Sequence, residues 1–135
     1  MFVLFRAAAT EDTMTPAKPS SYHQLAGTYA CVEHSPDGES HPNPTGRLVM
    51  VIEPDGVTGR FEMDYVDLDD SRQTQKASFT LDNWTMTTKI EEATRPEYVG
   101  VVAPVECRLD GRQLTFTWLD PGGVLGNLFQ VWMRG

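Results

Sequence analysis

The carboxylate of Glu33, the phenols of Tyr65 and Tyr98, the hydroxyl of Thr88 and the amide of Gln130 are the groups here that suit chemistry on a carbonyl. A carboxylate in an apolar setting has a raised pKa and serves as a general acid or base. Phenols, hydroxyls and amides orient a carbonyl through hydrogen bonds. The plainer alternative stays open for each. Glu33 would stand at a rim in water or pair with an arginine, and the others would make structural hydrogen bonds.

Other chemistries find no motif. His34, His41 and the loop from Ser35 to Pro44 invite a metal, but the histidines follow no ligand spacing, so no metal is expected. Cys31 and Cys107 lie far apart, with no Cys-x-x-Cys pair, and read as buried free thiols, a single disulfide being the alternative. Asp120-Pro121-Gly122-Gly123 is a turn rather than a phosphate loop, and no Gly-x-Ser-x-Gly elbow is present. No cofactor is expected.

The elements that must position these groups are strands. Eight are predicted: 27–34, 46–53, 59–68, 75–81, 84–91, 97–109 with a bend at Pro104, 113–119 and 128–133. Turn signals separate them at Pro54-Asp55-Gly56, Asp82-Asn83, Asp110-Gly111 and Pro121-Gly122-Gly123. Phe61, Met63 and Tyr65 alternate with Arg60, Glu62 and Asp64, and Leu114, Phe116 and Trp118 alternate with Gln113, Thr115 and Thr117. One buried face and one wet face mark antiparallel sheet. Short connections imply a meander, which removes its open edges by closing into a barrel wide enough for one small ligand. Ser20 to Leu25 reads as a short helical turn capped by serine. Residues 1–19 read as a tail, Met14 being a candidate natural start, and residues 20–135 as the domain.

Composition narrows the partners. The chain has 135 residues, 11 Lys+Arg against 19 Asp+Glu and a net charge of -8. That balance disfavours DNA, RNA and an anionic membrane. Hydrophobic residues make up 40% of the chain, which fits one globular domain. No apolar run nears the length of a membrane helix, and the Met-Phe-Val-Leu-Phe start stops at Arg6, too short for a signal peptide. The expectation is a cytoplasmic monomer or homodimer with a small hydrophobic molecule as partner.

Leu25-Ala26-Gly27-Thr28-Tyr29, and Gly46-Arg47-Leu48-Val49-Met50 before Pro54-Asp55-Gly56, resemble the Gly-x-Trp opening and the second strand and turn of the lipocalin-like domain family of small calycin barrels. Arg95-Pro96-Glu97-Tyr98-Val99-Gly100, Asp110-Gly111-Arg112-Gln113-Leu114-Thr115 and Gln130-Val131-Trp132-Met133-Arg134 resemble later segments, so that the likeness spans about 22–134. Tyr29 and Tyr98 stand where the family has tryptophan, and Thr87-Thr88 where many members have histidine.

The resemblance implies an eight-stranded antiparallel up-and-down barrel. It also implies binding of a hydrophobic polyketide- or terpenoid-like metabolite, with cofactor-free cyclisation or isomerisation as in small calycin barrels of polyketide pathways. A carrier or sensor is the alternative. The family motif turns Tyr29 inward, and period 2 then sends Cys31 and Glu33 inward too. Glu33 and Tyr65 become the expected catalytic pair. Cys31, Met50, Phe61, Met63, Met86, Thr88, Tyr98, Trp118, Gln130 and Trp132 become the expected ligand wall. Arg134 is expected to lie over the Tyr29 ring at the closed end, in a structural cation–π contact.

Overall fold

The computed structural model describes residues 22–120 and 126–135. The predicted tail, the serine cap and the turn at Pro121-Gly122-Gly123 lie outside the described residues. A 3₁₀ turn, Tyr22–Leu25, leads into strands β1 (Gly27–Pro36), β2 (Gly46–Ile52), β3 (Thr58–Val66) and β4 (Arg72–Asp82). Then follow β5 (Thr85–Ala93), a 3₁₀ turn at Pro96–Tyr98, β6 (Val102–Asp110), β7 (Gln113–Asp120) and β8 (Gly126–Arg134). Each strand pairs antiparallel with the next, and β8 pairs back onto β1, closing the barrel in the order β1 to β8.

Local chemistry makes the corners. Asp55 Oδ1 accepts from the backbone N–H of Val57 and of Thr58, which clamps the β2–β3 turn. Asn83 and Trp84 both have positive φ, so Trp84 belongs to the β4–β5 turn rather than to the fifth strand. A tryptophan is unusual there. Tyr22 holds it: the rings meet edge-on at 4.8 Å and the Tyr22 hydroxyl accepts from the Trp84 N–H. The expected sixth strand, 97–109, is shorter at its start, because Pro96 opens a 3₁₀ turn and Gly100 follows at positive φ. A Cβ on Gly59 would come within 2.4 Å of the Val51 carbonyl and 2.6 Å of Phe79 Cζ, so only glycine lets the Phe79 ring lie there.

The two ends of the barrel differ. At the end where β1 begins, Leu25 is buried and its carbonyl accepts from the Tyr29 hydroxyl. Arg134 lies over the Tyr29 ring at 5.1 Å and also donates to the Tyr29 hydroxyl and the Gln24 carbonyl. This end is closed as expected. In mid-barrel, Phe61 meets Phe79 of neighbouring β4 at 6.1 Å and reaches across the lumen to Phe116 at 5.9 Å and Trp118 at 6.3 Å, both on β7. These rings form a floor, and burying each contributes about 1.5–3 kcal/mol. Buried polar side chains gather toward the other end, where β1 gives way to the loop before β2.

Candidate functional site

Strand β1 carries the decisive irregularity. Cys31 pairs with Trp132 and His34 with Gln130, so both Val32 and Glu33 must be fitted opposite Val131. A β-bulge of two residues against one shifts the alternation by one. Cys31 keeps its inward place and is 6% exposed. Glu33 does not, which corrects the expected phase. It faces an outer groove of about 450 Å3 that also takes in Ser35, Ser40 and Phe129, and it accepts a hydrogen bond from the Ser35 hydroxyl at 2.9 Å. His34 takes the interior position and is 2% exposed. Glu33 and Tyr65, expected as a pair, therefore stand on opposite sides of the barrel wall.

His34 sits in a chain of hydrogen bonds whose direction is set by chemistry. An indole N–H only donates, so Trp118 Nε1 at 3.2 Å must face Gln130 Oε1. The Gln130 amide nitrogen then faces His34 Nδ1, also at 3.2 Å. His34 Nδ1 is thus the acceptor, and Nε2 carries the proton and donates to Asp67 Oδ1 at 3.3 Å. Asp67 Oδ2 accepts from Arg95 at 2.9 Å. Burial lowers the His34 pKa against the opposing pull of Asp67, so the ring is neutral at neutral pH. At Asp67 burial acts to raise the pKa. The Leu68 N–H, His34 and Arg95 together outweigh it, and the carboxyl is held below its usual range.

Beside this chain lies Tyr65, its ring 4.6 Å from that of His34. Its hydroxyl accepts from Gln75 Nε2 at 3.1 Å, which leaves its own proton for another acceptor. Burial, with Tyr98 and Asp67 nearby, raises the Tyr65 pKa, so the phenol stays protonated and acts as a donor. Gln75 is 2% exposed, yet its Oε1 has no partner among the described residues. Trp132 Nε1 is likewise buried and unpaired. An unmade buried hydrogen bond costs about 1–3 kcal/mol, so such atoms mark places a ligand can satisfy.

The acidic turn after β3 ties the mouth together. Asp67 holds His34 and Arg95, and Asp70 receives His41 Nε2 at 3.2 Å from the loop between β1 and β2. That loop is further fixed by His41 N–H donating to the His34 carbonyl. His41 is thus a latch in the loop, and no cluster of three or more His, Cys, Asp or Glu placed to hold a metal ion occurs among the described residues.

The expected wall residues Cys31, Met50, Phe61, Met63, Met86, Thr88, Trp118, Gln130 and Trp132 are all buried, as is Tyr65, while Tyr98 is half-buried against the core edge. The structure brings Tyr65, Trp118 and Gln130 together around His34. Thr88 spends its hydroxyl on the Met86 carbonyl at 3.2 Å. Both cysteines are free, and burial pushes Cys31 up to about 11 and Cys107 up to about 12, so neither is a ready nucleophile. His34, Asp67, Gln75 and Arg95 were not among the expected site residues. Gln75 was accessible, because it shares its phase on β4 with Phe79 and Leu81. His34 was not, because nothing in the sequence marks the bulge.

Among solved structures, the tryptamine complex of the amine-binding protein of Rhodnius prolixus is similar to this chain. The TM-score is 0.59 at 12% identity, over 94% of this chain and 70% of that one. The fold is lipocalin-like. No protein-family model and no curated protein matches the sequence. No helix among the described residues of this lipocalin-like barrel is long and apolar enough to cross a membrane.

Proposed function

We propose that the chain binds one small, mainly apolar molecule inside the barrel, above the aromatic floor, with its polar end at Tyr65 and Gln75. The observation that carries this reading is the unpaired Gln75 Oε1, a hydrogen-bond acceptor buried in the interior with no partner among the described residues. The small inward side chains of Ala77, Thr88 and Ala103, on adjacent strands, support the same reading. The similar Rhodnius barrel holds tryptamine.

A second reading, cofactor-free cyclisation or isomerisation of a polyketide- or terpenoid-like molecule, is favoured by one observation. A polar chain runs from the interior to the mouth, with Trp118, Gln130 and His34 donating in turn toward Asp67, which Arg95 meets from the other side, and this is more than a passive apolar carrier needs. On that reading the Tyr65 phenol polarises a carbonyl and the barrel shapes and desolvates the substrate. Glu33, outside the wall, has no part in it.

The test uses the full chain and the neutral dye N-phenyl-1-naphthylamine. The dye should bind one to one with enhanced emission, and Thr88→Trp should fill the interior and weaken binding at least about 10-fold while β-sheet circular dichroism persists. Equal binding by both proteins would place the dye outside the barrel and overturn the reading.

A further inference from the structure

We infer that the interior site selects an uncharged head group that both donates and accepts hydrogen bonds, as an alcohol or a primary amide does. This inference rests on the ligand-binding reading above and goes beyond it in naming the ligand's chemistry. Its ground is the juxtaposition of Gln75 and Tyr65, both 2% exposed and hydrogen-bonded to each other, where the buried side chains among the described residues include no Asp, Glu, Lys or Arg.

Hydrogen-bond accounting comes first. Gln75 Nε2 is spent on the Tyr65 hydroxyl, which leaves Gln75 Oε1 as an acceptor and the Tyr65 proton as a donor. Turning the Gln75 amide over exchanges these roles and still leaves one free donor or acceptor on an uncharged pair. A ligand hydroxyl or amide can give a proton to one and take a proton from the other. An ether or a hydrocarbon cannot give one and would leave Oε1 unsatisfied.

Charge accounting comes second. Asp67 is the carboxylate whose charge acts on Tyr65, and it already receives the Leu68 N–H, His34 and Arg95. Three of its roughly four acceptor positions are taken and Arg95 already balances its charge, so it offers little to a cationic amine. His34 is neutral, with both ring nitrogens engaged. Arg95 Nε is buried without a partner among the described residues, but its guanidinium faces Asp67 at 2.9 Å and Asp69 at 3.6 Å, so an anion there would meet two carboxylates. Glu33 is turned outward to Ser35. Taking an ionic head group out of water with no counter-charge is unfavourable, whichever its sign. In this respect the site differs in chemistry from one that takes an amine.

The test is competition against N-phenyl-1-naphthylamine on the full chain at pH 7.5, with four compounds of equal tail: octan-1-ol, octanamide, octylamine and octanoate. Octan-1-ol and octanamide should displace the dye at concentrations at least about 10-fold lower than octylamine or octanoate. Gln75→Met keeps the volume and removes the acceptor, and the lead of octanamide over octylamine should narrow at least about threefold while the charged compound stays disfavoured. Tyr65→Phe removes the donor and should narrow the same ratio, so the test stands if either variant fails to fold. Equal displacement by all four, a preference for either charged compound, an unchanged ratio in both variants, or dye binding that none of the four disturbs would overturn the inference and leave the binding reading intact. Failure of the dye to bind at all would overturn the binding reading, and this inference with it.

Discussion

At the scale of single residues, His34 is the group whose environment most changes its chemistry. Burial holds its pKa below the ordinary 6.5, and Gln130 already donates to Nδ1, where a second proton would have to sit. The unfolded chain takes up that proton near pH 6.5, while the folded chain resists it. Stability contributed by neutral His34 is therefore complete above about pH 6.5 and is lost as pH falls below that value toward the lower folded pKa. Asp67, with its lowered pKa, adds a second loss at more acidic pH, below about 3.8. Thermal unfolding followed from pH 7.5 to 5 should show a steeper fall in Tm for the wild type than for His34→Asn, whose side-chain carbonyl still accepts from Gln130 but does not titrate. Parallel curves would mean that His34 titrates alike in both states.

At the scale of elements, the bulge in β1 decides which side chains face the lumen. Deleting Val32 would leave Glu33 alone opposite Val131, so the bulge would vanish while Cys31 and His34 still face the lumen and Glu33 still faces out. Stability should change by no more than about 1–2 kcal/mol, measured by urea unfolding with the chain monitored by tryptophan fluorescence. A loss above about 3 kcal/mol would show that the bulge itself is needed to seat β1 against β8. The acidic turn Asp67-Leu68-Asp69-Asp70 works at the same scale. It fastens β1, the loop before β2 and the segment after β5 to one point at the mouth.

At the scale of the whole molecule, closure is what makes eight short strands stable together. The β1–β8 pairing leaves no open edge, and Arg134 locks that seam at the closed end through Tyr29 and Gln24. Arg134→Leu keeps much of the packing but removes the cation–π contact and both hydrogen bonds. It should cost about 1–2 kcal/mol, read as a Tm lowered by about 3–8 °C, with the β-sheet spectrum retained. No change in Tm would show that the 3₁₀ turn and apolar packing close this end unaided.

Much of this was written in local patterns. Phe61, Met63 and Tyr65, and likewise Leu114, Phe116 and Trp118, face inward as their period-2 spacing requires, and Asp55-Gly56 and Asp110-Gly111 turn where they should. Eight strands, their order and most of the interior wall follow from that alone, because alternation and turn chemistry act over a few residues. The site itself was legible only in part. Tyr65, Trp118 and Gln130 belonged to the inward phases, but their partner His34 reached the lumen through a bulge, and a bulge arises from how β1 must fit against β8, nearly a hundred residues later. The acidic run after β3 looked like a solvated turn until folding brought it against His34, His41 and Arg95. Trp84 looked like a strand residue until Tyr22, far away in the chain, held it in a turn. Short-range spacing determined the barrel. Long-range pairing decided which polar groups meet inside it, because one extra residue in a strand reverses the facing of every side chain beyond it.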